Sequence, residues 1–113
     1  MKPEFVPNAG DLVWLTFDPQ AGREQAGRRP AVVLSPAQYN RRSGLALVCP
    51  ITSHVKGYPF EVQLPPGLPV SGAVLADHLK SLDWRARLAE PAGRLPKDVL
   101  HDVLDRLAAL LGY

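Results

Sequence analysis

The segment Glu24-Gln-Ala-Gly-Arg-Arg-Pro-Ala-Val-Val-Leu-Ser-Pro36 carries the clearest structural signal in this chain of 113 residues. Its glycine favours a turn, and Pro30 fixes an extended backbone at the start of an apolar run that a second proline ends. We therefore expect a strand over Pro30–Leu34, entered through a turn that bears Arg28 and Arg29. Because a guanidinium fork suits phosphate oxygens, this turn is a candidate phosphate site; on the residues alone, a solvated turn is the alternative.

Other short apolar runs predict a mainly β chain, punctuated by nine glycines and twelve prolines as in a small barrel or sandwich. Leu45–Ile51 is nearly all apolar, which predicts a strand covered on both faces, whereas Tyr58–Leu64 alternates and predicts one buried face. A turn or short helical piece is expected at 37–40, and a turn at 83–87. The remaining strands are expected over Asp11–Phe17, Gly72–Ala76 and Leu88–Leu95.

One helix is predicted, over Pro96–Leu111, with Pro96 at its first position and Gly112 as its C-terminal stop. Apolar residues recur at the helical spacing and form one stripe. We expect this stripe to pack on the core, a partner-binding helix being the alternative. The stripe consists of Val99, Leu100, Val103, Leu104, Leu107, Leu110 and Leu111.

Composition predicts one globular domain over residues 1–113, with 46% hydrophobic residues and a net charge of +2. No apolar run approaches the ~20 residues that cross a bilayer, so no membrane association is expected. Cys49 is the only cysteine and lies in an apolar run, so it is expected to be a small buried hydrophobe. A single cysteine and the lack of an apolar leader favour a cytoplasmic location.

Polar residues that could handle phosphate follow the third expected strand, in Ile51-Thr-Ser-His-Val-Lys-Gly57. Metal binding is not expected, because the three histidines are separated in sequence and the one cysteine is predicted to be buried. No glycine-rich nucleotide fingerprint and no nucleophile elbow is present. The residues therefore favour phosphate chemistry without a metal or cofactor.

Further segments occur in a fixed order along almost the whole chain, from about Val6 to the C-terminal helix. Together they resemble the MazF/PemK toxin family, which consists of metal-independent endoribonucleases of bacterial type II toxin–antitoxin modules. The segments are Pro7-Asn-Ala-Gly-Asp-Leu-Val-Trp14, Asp18-Pro19, Glu24–Pro36, Tyr39-Asn40, Lys56-Gly-Tyr-Pro-Phe-Glu-Val62, Gly72-Ala-Val-Leu-Ala-Asp77, Lys80-Ser81 and Trp84-Arg-Ala-Arg87.

The resemblance implies an SH3-like twisted antiparallel barrel with a C-terminal helix, of the MazF/PemK/CcdB type, assembled as a homodimer. It implies sequence-specific cleavage of single-stranded messenger RNA, leaving 2′,3′-cyclic phosphate and 5′-hydroxyl ends, without a cofactor. The implied partner is a MazE-like antitoxin, with DNA reached only through the antitoxin complex. Two alternatives stay open: a CcdB-like gyrase inhibitor without nuclease activity, and an RNA-binding module that has lost turnover.

The resemblance also assigns roles to single residues. Arg29 and Thr52 are the implied catalytic pair. From the residues themselves, Glu24 could orient Arg29 through a charge-assisted hydrogen bond, and an exposed loop carboxylate is the alternative. Trp14 and Trp84 are expected to pack in the core rather than to stack on bases. RNA contacts are expected from Asp18, Pro19, Gln25, Arg28, Ser53, His54, Lys56, Asp77, His78, Lys80, Arg85 and Arg87.

Overall fold

The computed structural model describes residues 4–17 and 27–113, which form one seven-stranded antiparallel sheet and two helices. The predicted mainly β architecture with a C-terminal helix is confirmed. The strands are β1 Asp11–Phe17, β2 Gly27–Val33, β3 Leu45–Thr52, β4 Glu61–Gln63, β5 Ala73–Leu75, β6 Lys80–Asp83 and β7 Glu90–Arg94. The helices are α1 Ala37–Ser43 and α2 Lys97–Leu110, and a single 3-10 turn spans Ala76–His78. No helix of the described ranges is long and apolar enough to cross a bilayer.

β3 organises the sheet because it pairs with three other strands. The order runs β4-β5-β3-β2-β1-β7, with β6 beside the first half of β3. Alternate side chains of β1, β2 and β3 enter two separate cores on the two faces of the sheet. The first core, which α2 covers, includes Leu12, Val32, Cys49, Ile51, Val74, Val103 and Leu107. The second includes Val13, Leu15, Phe17, Ala31, Val33, Val48 and Trp84.

The strand predictions need four corrections. β2 begins at Gly27 rather than at Pro30, so both arginines lie within the strand. The first half of β3 is covered on one face only, because Leu45 and Leu47 remain exposed. Residues 58–60 form a turn in which the Glu61 amide donates to the Tyr58 carbonyl at 3.0 Å, so β4 is short. β6 was not expected, since only one of its four side chains is buried.

The C-terminal helix is one residue shorter at each end than expected. Pro96 has an extended ψ of 146° and is the N-cap rather than the first helical residue. Val103 and Leu107 are buried in the first core, and Val99 and Leu100 pack against it, as the stripe predicts. The expectation is wrong for the other three residues of the stripe, because the buried face of the helix is narrower than the stripe and its last turn is exposed; these residues are Leu104, Leu110 and Leu111.

A buried polar group fixes α1 to the sheet. The Asn40 side chain is fully buried, and its amide nitrogen donates to the carbonyls of Pro7, at 2.8 Å, and Ser35, at 2.9 Å. The backbone carbonyl of Asn40 accepts a hydrogen bond from the indole nitrogen of Trp84 at 2.9 Å. Asn40 therefore joins the N-terminal segment, the end of β2 and the turn after β6.

Gly72 permits a close backbone approach between β3 and the segment before β5. Its φ is +120°, and a Cβ there would lie 2.0 Å from the carbonyl oxygen of Thr52. A side chain at this position would displace the last residue of β3. The absence of a side chain at Gly72 thus sets where Thr52 lies.

We expect Asn40→Ala to lower the free energy of unfolding by about 3 kcal/mol, because it leaves two buried carbonyls without their donor. Urea denaturation at fixed protein concentration measures this change. Gln38→Ala, an exposed position of the same helix, is the control and should change stability by less than about 0.5 kcal/mol. Equal effects of the two substitutions would contradict the anchoring role.

Gly72→Ala is expected to destabilise the fold more than Gly67→Ala. Both glycines have positive φ, but a Cβ at Gly67 meets nothing within 4 Å. Gly67→Ala should therefore cost only backbone strain, about 1–2 kcal/mol, whereas Gly72→Ala should cost at least about 2 kcal/mol more. Urea denaturation of both variants measures the difference. Similar costs would show that the contact with Thr52 is relieved without strain.

Candidate active site

Two strands bring Arg29 and Thr52 together. In the antiparallel ladder of β2 and β3, Ala31 lies opposite Pro50. Arg29 lies two residues before Ala31 and Thr52 lies two residues after Pro50, just beyond the last pair of this ladder, and both residues line one cleft of about 470 Å³. The two strands therefore bring the predicted catalytic pair to the same cleft.

Local hydrogen bonding orients the Thr52 side chain. The residue is only 6% exposed, and its hydroxyl oxygen accepts from the backbone amide of His54 at 3.1 Å. A hydroxyl that accepts one hydrogen bond keeps its own proton to donate. Thr52 is thus suited to donate to an oxygen of a group bound in the cleft.

The lining of the cleft combines two cations, two imidazoles and two carboxylates. Of the two carboxylates, Glu61 accepts from backbone amides, and the guanidinium and ammonium groups are the ones suited to hold an anion. Six predicted site residues lie in it: Arg29, Thr52, His54, Lys56, Asp77 and His78. Three further lining residues were not predicted: Tyr58, Glu61 and Leu75. Lys80 lies in an adjoining groove of about 530 Å³ that shares Asp77 and His78 with the cleft.

Glu61 holds the loop between β3 and β4. One carboxylate oxygen accepts from the backbone amides of Lys56, at 2.9 Å, and Gly57, at 2.8 Å. The Lys56 ammonium lies 5.9 Å from the centroid of the Tyr58 ring, a weak cation–π contact. Glu61 therefore positions the part of the loop that carries Lys56. The motif Lys56–Val62 contained this residue, but a carboxylate that bonds to backbone amides leaves no signature in side-chain pattern.

Arg28 points to the opposite face of β2 from Arg29, because side chains alternate along a strand. Its guanidinium donates to the Thr16 hydroxyl at 3.0 Å and to the Leu88 carbonyl at 2.8 Å, and it pairs with the Glu90 carboxylate. Arg28 thus spans β1 to reach β7 and the turn before it. Its predicted RNA contact remains a prediction, beside this observed structural role.

Arg87 and Arg85 do not line the cleft. Arg87 donates to the Thr16 carbonyl at 3.2 Å, close to Arg28. The guanidinium of Arg85 lies 4.2 Å from the centroid of the Trp84 ring, and Arg85 lowers the pKa of Glu4 through two hydrogen bonds of 2.9 Å.

Arg85 approaches Gly44, just before β3, whereas Thr52 ends that strand. The first and last of the eight residues of β3 lie about 23 Å apart at roughly 3.3 Å per step, so Arg85 lies far from the cleft. Its RNA contact stays a prediction, and it would lie outside the site. Four other predicted residues lie outside the described residues: Asp18, Pro19, Glu24 and Gln25.

A second cleft of about 330 Å³ lies beside the first, on the other face of the β2–β3 pair. It includes the predicted site residues Arg28 and Ser53, and Arg29 borders both clefts. Trp14 lines it and is 38% exposed, so the expectation that Trp14 packs in the core is wrong. The same expectation is confirmed for Trp84, which is 3% exposed.

Cys49 is fully buried, as predicted, and takes no part in the cleft. Burial, and to a smaller extent the charge of Asp77, raises the pKa of its thiol to about 12. A thiol with such a pKa stays protonated near neutral pH and is a poor nucleophile. Within residues 4–17 and 27–113, no three histidine, cysteine or carboxylate side chains cluster in a way that could hold a metal ion.

Comparison with known proteins identifies the family of this chain. The family described as PemK-like, MazF-like toxin of type II toxin-antitoxin system matches residues 8–111. The endoribonuclease toxin MazF of Escherichia coli strain K12 is 47% identical over 112 residues, which cover 99% of this chain and all of that protein. Endoribonuclease PemK of Escherichia coli is 36% identical and covers 90% of this chain and 80% of its own length.

Solved structures give the same result. MazF from Deinococcus radiodurans has a TM-score of 0.93 and 62% identity, over 97% of this chain and all of the other. A chain of the MazE–MazF complex from the same organism has a TM-score of 0.88 and 62% identity, over 96% of this chain and 98% of the other. These matches confirm the predicted MazF-type fold. The chain belongs to the PemK-like, MazF-like family of toxins of type II toxin–antitoxin systems.

Proposed function

We propose that this chain is a sequence-specific endoribonuclease toxin that cleaves single-stranded messenger RNA without a metal ion and so stops translation and growth. The observation that carries the proposal is that Arg29 and Thr52 line one cleft, together with Lys56 and two imidazoles. Family membership supports it, because relatives of known activity are named endoribonucleases. The whole chain, residues 1–113, would act as one toxin domain of a homodimer in the cytoplasm.

The proposed reaction is attack of the RNA 2′-hydroxyl oxygen on the adjacent phosphorus. The new phosphorus–oxygen bond closes a 2′,3′-cyclic phosphate as the bond to the 5′ oxygen breaks, and that oxygen leaves as a hydroxyl. Negative charge grows on the non-bridging oxygens in the transition state. Arg29 can donate two hydrogen bonds to these oxygens and Thr52 a third, which stabilises the developing charge.

Proton transfer accompanies this reaction at two oxygens. The 2′-hydroxyl must lose a proton, and the leaving 5′ oxygen must gain one. A guanidinium has several N–H donors and no acceptor atom, so we assign Arg29 to charge stabilisation and positioning rather than to the role of base. The imidazoles of His54 and His78 line the same cleft, and a ring nitrogen of imidazole can accept or donate a proton.

The cleft also suits an antitoxin. An acidic, extended segment would meet Arg29 and Lys56 and would exclude RNA from the site. The solved MazE–MazF complex of the Deinococcus radiodurans relative supports a MazE-like partner. Any contact with DNA would be made indirectly, through the complex with that antitoxin. A gyrase-directed toxin is the second candidate, but it would not need the Arg29–Thr52 pair, and endoribonuclease relatives favour the nuclease.

Substitution of the catalytic pair tests this proposal. Arg29→Ala and Thr52→Val should each lower kcat roughly 10²–10³-fold, because each removes donors to the transition-state oxygens. Thr52→Ser keeps the hydroxyl and is the matched control, with expected kcat within about tenfold of wild type. The measurement is cleavage of a long single-stranded RNA in EDTA, with mass spectrometry of the fragment ends.

Discrete fragments with cyclic phosphate ends, lost in Arg29→Ala, would support the nuclease and give its recognition sequence. Intact RNA with folded, antitoxin-free protein would contradict it. Inhibition of DNA supercoiling by gyrase in the same preparation would then support the second candidate. Full activity of Thr52→Val would contradict the proposed role of the Thr52 hydroxyl but would still support the endoribonuclease activity.

Glu61 should act through the loop that it holds. Glu61→Ala removes the acceptor for two backbone amides, and we expect KM to rise roughly tenfold with little change in kcat, since Lys56 loses its position. Glu61→Gln keeps an amide oxygen as acceptor and should restore most of the affinity. Steady-state kinetics on a short RNA separates the two parameters. A loss of kcat in both variants would instead indicate a direct catalytic role for the carboxylate.

A further inference from the structure

The second cleft has no role in the chemistry described above, although Arg29 borders it. Arg29 also lines the cleft that contains Thr52. Ser53, the residue after Thr52, lines only the second cleft of these two. Arg29 therefore joins the two clefts, and a strand bound with its phosphate at Arg29 and Thr52 would have the second cleft next to it.

Trp14 forms one wall of this cleft and is unusual for its position. It lies in the middle of β1, where the other six side chains are buried or half-buried. Pro30 lies beside it in β2 and Glu90 in β7, so strands flank it on both sides. Trp14 belongs to neither core of the described residues. The sheet thus presents the indole at its surface. Because the flanking strands already restrict Trp14, stacking of a ligand on the indole would cost little side-chain entropy.

The facing wall is fixed by close packing. It consists of Pro69, Val70 and Ser71, of which Val70 is buried in the first core. Gly93 of β7 has φ +131°, and a Cβ there would lie 2.9 Å from Cγ of Pro69. The proline ring therefore packs directly on the β7 backbone. This contact places the Pro69 side of the cleft against β7.

The chemistry of the cleft suits a nucleobase. The lining includes the indole of Trp14 and the hydroxyls of Ser53 and Ser71, beside Arg28, whose guanidinium pairs with Glu90. Single-stranded RNA is bound by stacking bases on aromatic side chains and by hydrogen bonds to their edges. A volume of about 330 Å³ lies at the lower end for ligand sites, which fits one nucleotide.

We propose that the Trp14 cleft is a base-binding subsite, in which the base next to the scissile phosphate stacks on the indole of Trp14. The inference rests on the proposed endoribonuclease function and extends it to a specificity site on the face opposite Thr52. Trp14 is a binding residue in this scheme and does not touch the reacting atoms.

A mutant cycle between protein and RNA tests the subsite. The substrates are a short RNA with one cleavage site and two versions in which the base on one side of that site is missing. Trp14→Ala should raise KM roughly five- to a hundredfold with kcat largely retained, and Trp14→Phe should keep most of the affinity. Removing the stacked base should cost the wild type a similar factor and cost Trp14→Ala almost nothing further.

Indole fluorescence gives a readout that needs no cleavage. Trp84 is buried and bonded to Asn40, so an RNA lacking the attacking 2′-hydroxyl should quench mainly Trp14. Removing the stacked base should abolish most of this quenching. Circular dichroism checks that each variant is folded.

Three results would overturn the proposal: additive costs of Trp14→Ala and base removal, an unchanged KM in Trp14→Ala, or no quenching. If Trp14→Ala weakens binding of an acidic antitoxin peptide but leaves KM for RNA unchanged, the cleft serves the antitoxin instead. Wild-type protein that quenches with RNA but cleaves none would contradict the proposed nuclease and leave the subsite supported.

Discussion

The register between β2 and β3 is the constraint on which the site depends. Ala31 lies opposite Pro50, and the two strands carry Arg29 and Thr52, each two residues from this pair, into one cleft. A shift of one residue would turn every side chain of a strand to the other face of the sheet, and with it the guanidinium or the hydroxyl. Two alternating cores hold this register, because Val32 and Val33 must enter opposite faces. The arrangement of the proposed catalytic pair is thus a consequence of core packing.

β3 also connects the β2–β3 pair to the other strands around the cleft. Its first half pairs with β6 and its last residues with β5, where the missing side chain of Gly72 lets the backbones approach. The loop after β3 is then held from the far side by Glu61. Strands β2 and β3 place Arg29 and Thr52, while the loop that Glu61 holds presents Lys56 beside them. Such an arrangement combines fixed chemistry with a loop whose residues can vary for sequence preference.

Much of the fold followed from local pattern, and the failures have physical causes. Alternation predicted the burial of Val62 and Leu64, and the periodic stripe predicted α2. Pattern did not show that Trp14 is exposed, because which face of a strand is covered depends on distant segments. β6 escaped detection because pairing with β3, rather than its own apolar content, makes it a strand.

The site was predictable to a different degree. Arg29 and Thr52 were assigned through family resemblance, and the strands bring them together without testing their chemistry. The ties of Arg28 to Leu88 and Glu90 join residues about sixty positions apart, which no single-sequence pattern specifies. Glu61 escaped notice because it acts on backbone amides. Sequence thus identified groups with reactive side chains better than groups that position them.

The most direct test of the account is a crystal structure with an RNA whose attacking 2′-hydroxyl is replaced by hydrogen, so that it binds without being cut. The account predicts one phosphate bridged by the Arg29 guanidinium and the Thr52 hydroxyl, each within about 2.7–3.2 Å of a non-bridging oxygen. A scissile phosphate bound away from either side chain would contradict the claim that the register of β2 and β3 builds the active site.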